Sequence, residues 1–168
     1  MIVADWYRNT EWNDEIEAQF FEKLARSKSQ RDQYLVLQAH HLSASHPEAA
    51  LRLADYYFAT RTDDFHDDRA LRVSAAAHFA LGGHRQALDD YLKLLVGDKA
   101  ERDLHAGSPI EFAFLVARCR SQIHYSVAIE QLAPLTPPND FQSDLHFRFR
   151  AARAILLNET GRDLSLAA

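Results

Sequence analysis

Nine histidines are the side chains of this sequence that most invite a chemical role, because imidazole is a common metal ligand. The closest groupings are His40-His41 with His46, and His78 with His84. None of these spacings is the i, i+4 pair or the Glu-x-x-His motif that places two ligands on one helix face. Adjacent residues such as His40 and His41 point about 100° apart on a helix. We therefore expect no metal and no cofactor, and interpret the histidines as ordinary surface or core residues.

A run of acidic residues, Asp63-Asp-Phe-His-Asp-Asp68, has the composition of a cation site or of a surface for a basic partner. It lacks the turn glycine and the final glutamate of a calcium-binding loop. A solvated loop that leads into a helix is the simpler interpretation, because carboxylates are stabilised at the positive end of the helix dipole.

Cys119 is the single cysteine of the chain and lies in an apolar segment without a neighbouring His or Asp. This setting favours a packed thiol over a nucleophile. The sequence also contains no glycine-rich phosphate loop, nucleophile elbow or cysteine-pair zinc motif. We predict that the protein is not an enzyme, and the alternative in that class is a metal-dependent enzyme.

The segment His146-Phe-Arg148-Phe-Arg150-Ala-Ala-Arg153 alternates aromatic and basic residues, as single-stranded nucleic-acid surfaces do. On a helix, however, Phe147 and Phe149 point about 200° apart and cannot form one stacking platform. We expect one of them in the core and the arginines in solvent. Because the whole chain has a formal net charge of −5, nucleic-acid binding is the alternative and not the leading hypothesis.

Charged and aromatic residues are unevenly distributed along the chain. Met1–Leu24 contains six acidic and two basic residues, net −4, whereas Arg118–Arg153 contains five arginines and three acidic residues, net +2. Such asymmetry more often steers a protein partner than builds a fold. Trp6, Tyr7 and Trp12 either cap the open end of a helix stack or anchor a partner.

The bulk composition limits the class of protein that presents these residues. The chain has 168 residues, 47% of them hydrophobic, and only five glycines and five prolines, which argues against all-β and disordered classes. The longest stretch without a charged residue, Gln33–Pro47, is too short and too polar to span a bilayer. The opening residues lack the features of a secretory signal, and one cysteine allows no disulfide framework. We therefore expect a cytoplasmic protein that binds no membrane.

Apolar residues recur at helical spacing through nearly the whole sequence, and no segment alternates as a β-strand would. The clearest local signals are Pro47 in a first turn, the Gly82-Gly83 break, and Ser108-Pro-Ile-Glu111, which combines a cap serine, a first-turn proline and a capping-box glutamate. Eight helices are predicted: one opening near Asn13, then Asp32–Ser45, one starting at Pro47, one ending near Leu81, one starting near His84, one from Ser108 to about Arg120, one around Val127–Leu132, and Phe141–Asn158.

These helices form antiparallel pairs that repeat. The small residues early in the second helix of each pair, Ala50, Ala87 and Ala128, are 37 and 41 residues apart. The middle pair matches the tetratricopeptide repeat at a core apolar residue, a small contact residue, the turn glycine, a second small residue and an aromatic. Those positions are Leu71, Ala75, Gly82, Ala87 and Tyr91.

The sequence thus resembles a tetratricopeptide-repeat-like (TPR-like) bacterial helical-repeat protein over about Asp32–Ala168, with one good repeat and degenerate neighbours. Its opening, Asp5–Asn13, is also similar to that of a loosely defined group of small bacterial TPR-like proteins. The resemblance implies an all-α fold in which antiparallel helix pairs stack as a short right-handed solenoid. Residues 1–168 would form one domain: a capping segment and helix at 1–29, helix pairs at 30–63, 64–101 and 108–138, and a final pair at 140–168.

The resemblance also implies a function, which is non-catalytic protein binding as an adaptor or as an immunity-type inhibitor of a specific bacterial protein. In such arrays the first helix of each pair lines the concave face. Arginines beside apolar residues on that face suit an acidic peptide or protein surface. The partner-binding residues expected from the register are Asp32, Leu35, Leu42, Arg69, Arg72, Phe79 and Arg120.

The last predicted helix raises a separate expectation, because Gly161 follows Gly82 by 79 residues and would be the turn of a further pair. Residues 163–168 would then open a second helix of only about one and a half turns. Four leucines would have no helix to cover them: Leu156, Leu157, Leu164 and Leu166. We expect either a piece of a longer protein or a surface that a partner or a second copy buries, with a homo-oligomer through the C-terminal helix as one alternative.

Overall fold

The computed structural model of the chain describes residues 6–96, 107–137 and 143–161. The described residues are helical and contain no β-strand, so the prediction of an all-α fold is confirmed. Their helices are α1 (Asp14–Arg26), α2 (Arg31–Leu42), α3 (Pro47–Thr60), α4 (Asp67–Ala80), α5 (His84–Val96), α6 (Gly107–Cys119), α7 (Tyr125–Leu132) and α8 (Ser143–Thr160), with a short 3-10 helix at Gln122–His124. None of them is long and apolar enough to cross a membrane.

Several helix ends form where the local sequence predicts them. The Asn13 side chain accepts a hydrogen bond from the backbone of Ile16 and caps α1. Pro47 occupies the first turn of α3, where its missing N–H costs nothing. Gly82 ends α4 with a φ of +79°, a left-handed conformation that glycine adopts without a steric penalty.

The predicted cap of α6 is not formed. The helix already begins at Gly107, so Ser108 lies inside its first turn and not before it. Ser108 is 4% exposed, and its Oγ has no hydrogen-bond partner within the described part of the chain. Its hydroxyl therefore does not cap the backbone as the capping-box pattern predicted.

The chain divides into two compact units, Met1–Leu94 (unit 1) and Leu95–Ala168 (unit 2). In unit 1, α2 packs against α3, α3 packs against α4, and α2 also contacts α4. The core residues of this part share nearly complete burial on the inner helix faces: Phe20, Leu24, Leu35, Val36, Ala39, Leu42, Ala49, Ala50, Leu53, Tyr57, Ala70, Val73 and Ala77.

Polar contacts join the loop between α3 and α4 to α2, and they also join α4 to the end of α3. Asp32 accepts hydrogen bonds from the backbone N–H of Thr62 (3.1 Å) and from its hydroxyl (3.2 Å). Asp67 accepts from the hydroxyl of the buried Tyr57 (2.8 Å) and pairs with Arg61 (2.9 Å). Burial, followed by the hydrogen bond to Asp67, raises the pKa of Tyr57 well above its usual value.

Unit 2 repeats the contact scheme with three other helices. Here α6 packs against α7 and α8, and α7 packs against α8. Phe112, Phe149 and Leu156 are among its fully buried side chains. At the end of α8, Glu159 accepts a hydrogen bond from Tyr125 and pairs with Arg120 (3.4 Å), and the bond to Glu159 is the main cause of a raised Tyr125 pKa.

Candidate protein-binding surfaces

The sequence-predicted residues on α4 lie on one side of that helix. Arg69, Arg72 and Phe79, together with Ala76, are spaced by three and four residues, so they follow one stripe. Arg69 and Ala76 are exposed, and Arg72 and Phe79 are half-buried. This stripe keeps the mixed basic and apolar character that was predicted for a partner-binding face.

The predicted counterparts on α2 do not belong to such a surface. Leu35 and Leu42 are fully buried in the core of unit 1, so no partner reaches them in this conformation. Asp32 is half-buried and binds Thr62 of the α3–α4 loop, which is a structural role. The repeat register predicted from the sequence therefore assigned core positions of α2 to the groove, and we leave Leu35 and Leu42 out of the candidate surfaces.

Arg120 is displaced from the predicted helix face by the way α6 ends. It follows the last residue of α6 and has a φ of +51°, the one described non-glycine residue in the left-handed region. Its side chain is 80% exposed and pairs with Glu159 of α8. Arg120 belongs to unit 2 and the α4 stripe belongs to unit 1, so we do not assign them to one surface.

A second surface of unit 1 combines aromatic and arginine side chains: Tyr7, Arg8, Arg31, Tyr34 and Tyr56. We call it the aromatic–arginine surface. Tyr7 stacks on Tyr34 with ring centroids 4.4 Å apart, and Arg8 lies 5.4 Å from the Tyr7 ring. Arg31 donates a hydrogen bond to the Tyr56 hydroxyl (2.7 Å) and lies 5.3 Å from its ring. All five side chains are exposed or half-buried.

The N-terminal segment that supplies Tyr7 and Arg8 is anchored by a buried amide. Gln38 is fully buried on α2, and its side chain accepts from the Asn9 backbone N–H (3.0 Å) and donates to the Asn9 carbonyl (2.7 Å). Trp6 packs on Phe20 and Tyr34 with centroids 5.4 and 5.0 Å apart. Because both polar and apolar contacts fix this segment, the surface is preorganised, which lowers the entropic cost of binding.

Trp6, Tyr7 and Trp12 pack as residues that cap the end of the helix stack. All three are half-buried against the core of unit 1, as end-capping residues are. Tyr7 nevertheless keeps part of its ring in solvent beside Arg8. No local pattern predicted Arg31, Tyr34 or Tyr56, because the contacts that assemble them join residues 25 or more positions apart.

The acidic stretch forms the loop that was predicted, and it leads into the first turn of α4. Phe65 in this loop is 83% exposed. Burial and the charge of Arg69 lower the pKa of the half-buried His66, against the opposing effects of Asp63 and Asp32.

One pair of titratable side chains joins α4 to α5. Nδ1 of His78 on α4 lies 2.9 Å from Oδ2 of Asp90 on α5, and Lys93 pairs with the other oxygen of Asp90 (2.8 Å). Burial raises the pKa of the half-buried Cys119 thiol. In residues 6–96, 107–137 and 143–161, no three His, Cys, Asp or Glu side chains converge as metal ligands.

The arginine-rich segment of α8 does not form an aromatic platform. Phe149 is 1% exposed and Phe147 is 64% exposed, which confirms the prediction that one ring is in the core. Arg148 pairs with Asp144 (3.0 Å) and lies over Phe114, while Arg150 donates to His146 (2.7 Å). Arg148 and Arg150 therefore have side-chain partners on α8 itself, and Arg150 also lines the groove described next.

An open groove of about 450 Å³ runs along the outer side of α8. Among the residues that the structure describes, the lining is apolar apart from two arginine side chains: Pro137, Phe149, Arg150, Arg153, Ala154 and Leu157. Leu156, which was expected to lack a covering helix, is fully buried, and only its neighbour Leu157 faces this groove. Leu164 and Leu166, with the rest of the predicted final helix, lie outside the described residues.

Comparison with known proteins assigns no function, so the assignment must start from these surfaces. No protein-family profile, no curated protein and no solved structure matches the chain.

Proposed function

We propose that this chain is a non-catalytic protein-binding module built from stacked TPR-like helix pairs, and that it acts as an adaptor or as an immunity-type inhibitor of a bacterial protein. The repeated contact scheme supports the stacked architecture. Each unit contains three successive helices in which the first contacts both the second and the third, as expected when one pair packs on the first helix of the next.

The observation that carries the proposal is the aromatic–arginine surface. Tyrosine, tryptophan and arginine are the residues most enriched at binding hot spots, and this surface presents three tyrosines and two arginines on a fixed backbone. Both arginines lie within 5.4 Å of an aromatic ring centroid, and guanidinium groups bind carboxylates as well as aromatic faces. An acidic protein surface with an apolar centre is the complementary partner.

The experiment that tests the proposal starts with the immobilised full chain and a lysate of its source organism. Proteins retained by the chain are identified by mass spectrometry, and each candidate is purified and titrated into the chain by calorimetry. We expect Arg31→Glu and Tyr56→Ala each to weaken the binary complex by about tenfold or more, since hot-spot truncations cost about 2 kcal/mol.

The matched control is Phe65→Ala, which removes an exposed aromatic residue elsewhere in unit 1. Its affinity should equal that of the unchanged chain. A loss of binding with Phe65→Ala and none with Tyr56→Ala would move the site to the α3–α4 loop. Failure to obtain any binary complex with a purified candidate would contradict the proposed function itself.

A further inference from the structure

We propose that the outer face of α8 is a docking groove for an acidic amphipathic helix of a partner protein. The outer face is defined by Arg150, Arg153, Ala154 and Leu157, which line the groove described above. This assigns a second binding surface, in unit 2, and it does not depend on the aromatic–arginine surface of unit 1.

The argument begins with an internal equivalence between α4 and α8. Each helix ends at a glycine with positive φ, +79° at Gly82 and +65° at Gly161, and the two glycines are 79 residues apart. Three residues of α4, and the three residues of α8 that lie 79 positions later, face earlier helices. Each of the six is at most 2% exposed. The equivalent pairs are Ala70 and Phe149, Val73 and Ala152, and Ala77 and Leu156.

On α4, the face adjacent to these buried positions is covered by α5. The residues Leu71, Ser74, Ala75 and His78 are spaced by three, one and three positions, so they form one face. His78 of this face binds Asp90 of α5, and Ala75 at its centre is fully buried. A helix therefore packs on this face of α4.

The equivalent face of α8 is the groove. The shift of 79 residues converts Leu71, Ser74, Ala75 and His78 into Arg150, Arg153, Ala154 and Leu157. The central position remains alanine, which permits close approach of a second helix. Ala154 is exposed, whereas Ala75 is buried. α8 is the last helix among the described residues, so no described helix follows it as α5 follows α4.

The side chains around Ala154 indicate which kind of helix fits. Leu157 and the exposed Pro137 provide apolar surface for an apolar ridge of the incoming helix. Arg150 and Arg153 replace uncharged residues of α4, and guanidinium groups bind carboxylates in bidentate geometry. The occupant is therefore a helix with a small residue at the contact point and Glu or Asp one turn away, which is the helix-in-groove mode of recognition.

The test uses a labelled, helix-stabilised peptide of about 16 residues, long enough for four turns. It carries alanine at its centre, leucine one turn away, and glutamates at the positions that flank this apolar stripe. A second peptide has lysine in place of each glutamate. Fluorescence anisotropy with the full chain should show micromolar binding of the glutamate peptide and at least about tenfold weaker binding of the lysine peptide.

Three variants locate the binding. Ala154→Arg should weaken binding of the glutamate peptide by about tenfold or more, while Ala18→Arg, a matched change at an exposed alanine of α1, should have no effect. The double variant Arg150→Glu with Arg153→Glu should reverse the preference toward the lysine peptide. Circular dichroism confirms folding, and the charge-reversed variant carries the test if Ala154→Arg does not fold.

Other occupants give distinct results, and each would overturn the proposal. Light scattering that shows a dimer, lost in Ala154→Arg, would assign the groove to a second copy of the chain. Peptide binding that appears only after removal of residues 162–168 would assign it to the chain's own sequence. Equal affinity for both peptides, or no binding, would show that the groove takes no acidic helix, and would leave the test of the unit 1 surface unaffected.

Discussion

The helices α4 and α8 bury the same three positions against the helices before them, but they differ on the adjacent face. On α4 this face holds Ser74 and Ala75 and is covered by α5, whereas on α8 it holds Arg153 and Ala154 and lines an open groove. The inner positions of both helices are set by the core, because a polar residue there would be desolvated. The residue types on the adjacent face depend on whether another helix covers it. On an uncovered face, the long apolar stems of arginine side chains can lie along apolar residues while their charged groups stay in water.

The largest effect that tests this comparison concerns two neighbouring leucines of α8. Leu156→Ala should lower the free energy of unfolding by about 2–5 kcal/mol, because it leaves a cavity at a fully buried position. Leu157→Ala, at a half-buried groove position, should cost less than about 1 kcal/mol. Urea denaturation followed by circular dichroism measures both, and equal costs would mean that the inner face of α8 is not the one described.

The second test compares the two central alanines. Ala75→Leu should overpack the covered face of α4 and cost about 1–3 kcal/mol, and Ala87→Leu on α5 should do the same if the two alanines meet, as the repeat register predicts. Ala154→Leu should change stability by no more than about 0.5 kcal/mol, because the groove has room for the larger side chain. A large loss for Ala154→Leu would show that α8 is covered like α4.

The comparison also shows which features a single sequence predicts well. Local signals fixed helix ends within a residue or two, as at Pro47 and Gly82, because proline and a left-handed glycine restrict the backbone regardless of tertiary context. The helical period correctly separated Phe149 from Phe147, since opposite sides of one helix cannot both face the core. The positions of these helices thus followed from short-range chemistry, whereas the burial of Leu156, which was expected to be uncovered, did not.

Features that depend on distant partners were not predicted. Leu35 and Leu42 were assigned to a groove by repeat register, yet they are core residues, because degenerate repeats do not fix a face to within one residue. Ser108 had every local mark of a cap but lies within α6. The aromatic–arginine surface depends on Arg31 meeting Tyr56, a contact between residues 25 positions apart that no local pattern encodes.

The third test asks whether the two terminal glycines are equivalent. Gly82→Ala and Gly161→Ala should each cost about 1–2 kcal/mol, because a Cβ is strained at positive φ. No atom lies within 4 Å of the added carbon at either position, so the cost comes from the backbone alone. Thermal denaturation of both variants should therefore show similar shifts. A much smaller shift for Gly161→Ala would contradict the equivalence of α4 and α8 from which the groove was inferred.

The smallest effect tests the polar tie that holds α5 on α4. His78→Leu converts this position into the one that α8 has at Leu157, and it removes the contact with Asp90. We expect a loss of about 0.5–1.5 kcal/mol, the usual net value of one hydrogen bond, because Lys93 still pairs with the carboxylate of Asp90.

A double-mutant cycle with Asp90→Ala isolates the His78–Asp90 term from the changes in packing, and Asp89→Ala at the exposed neighbour is the control. The cycle should give a coupling free energy of about 1 kcal/mol for His78 with Asp90 and about zero for His78 with Asp89. If the first coupling is also zero, α5 is retained by apolar packing alone. The covered face of α4 would then bind its helix without a polar contact. By analogy, a helix docked on α8 would not need acidic residues opposite Arg150 and Arg153.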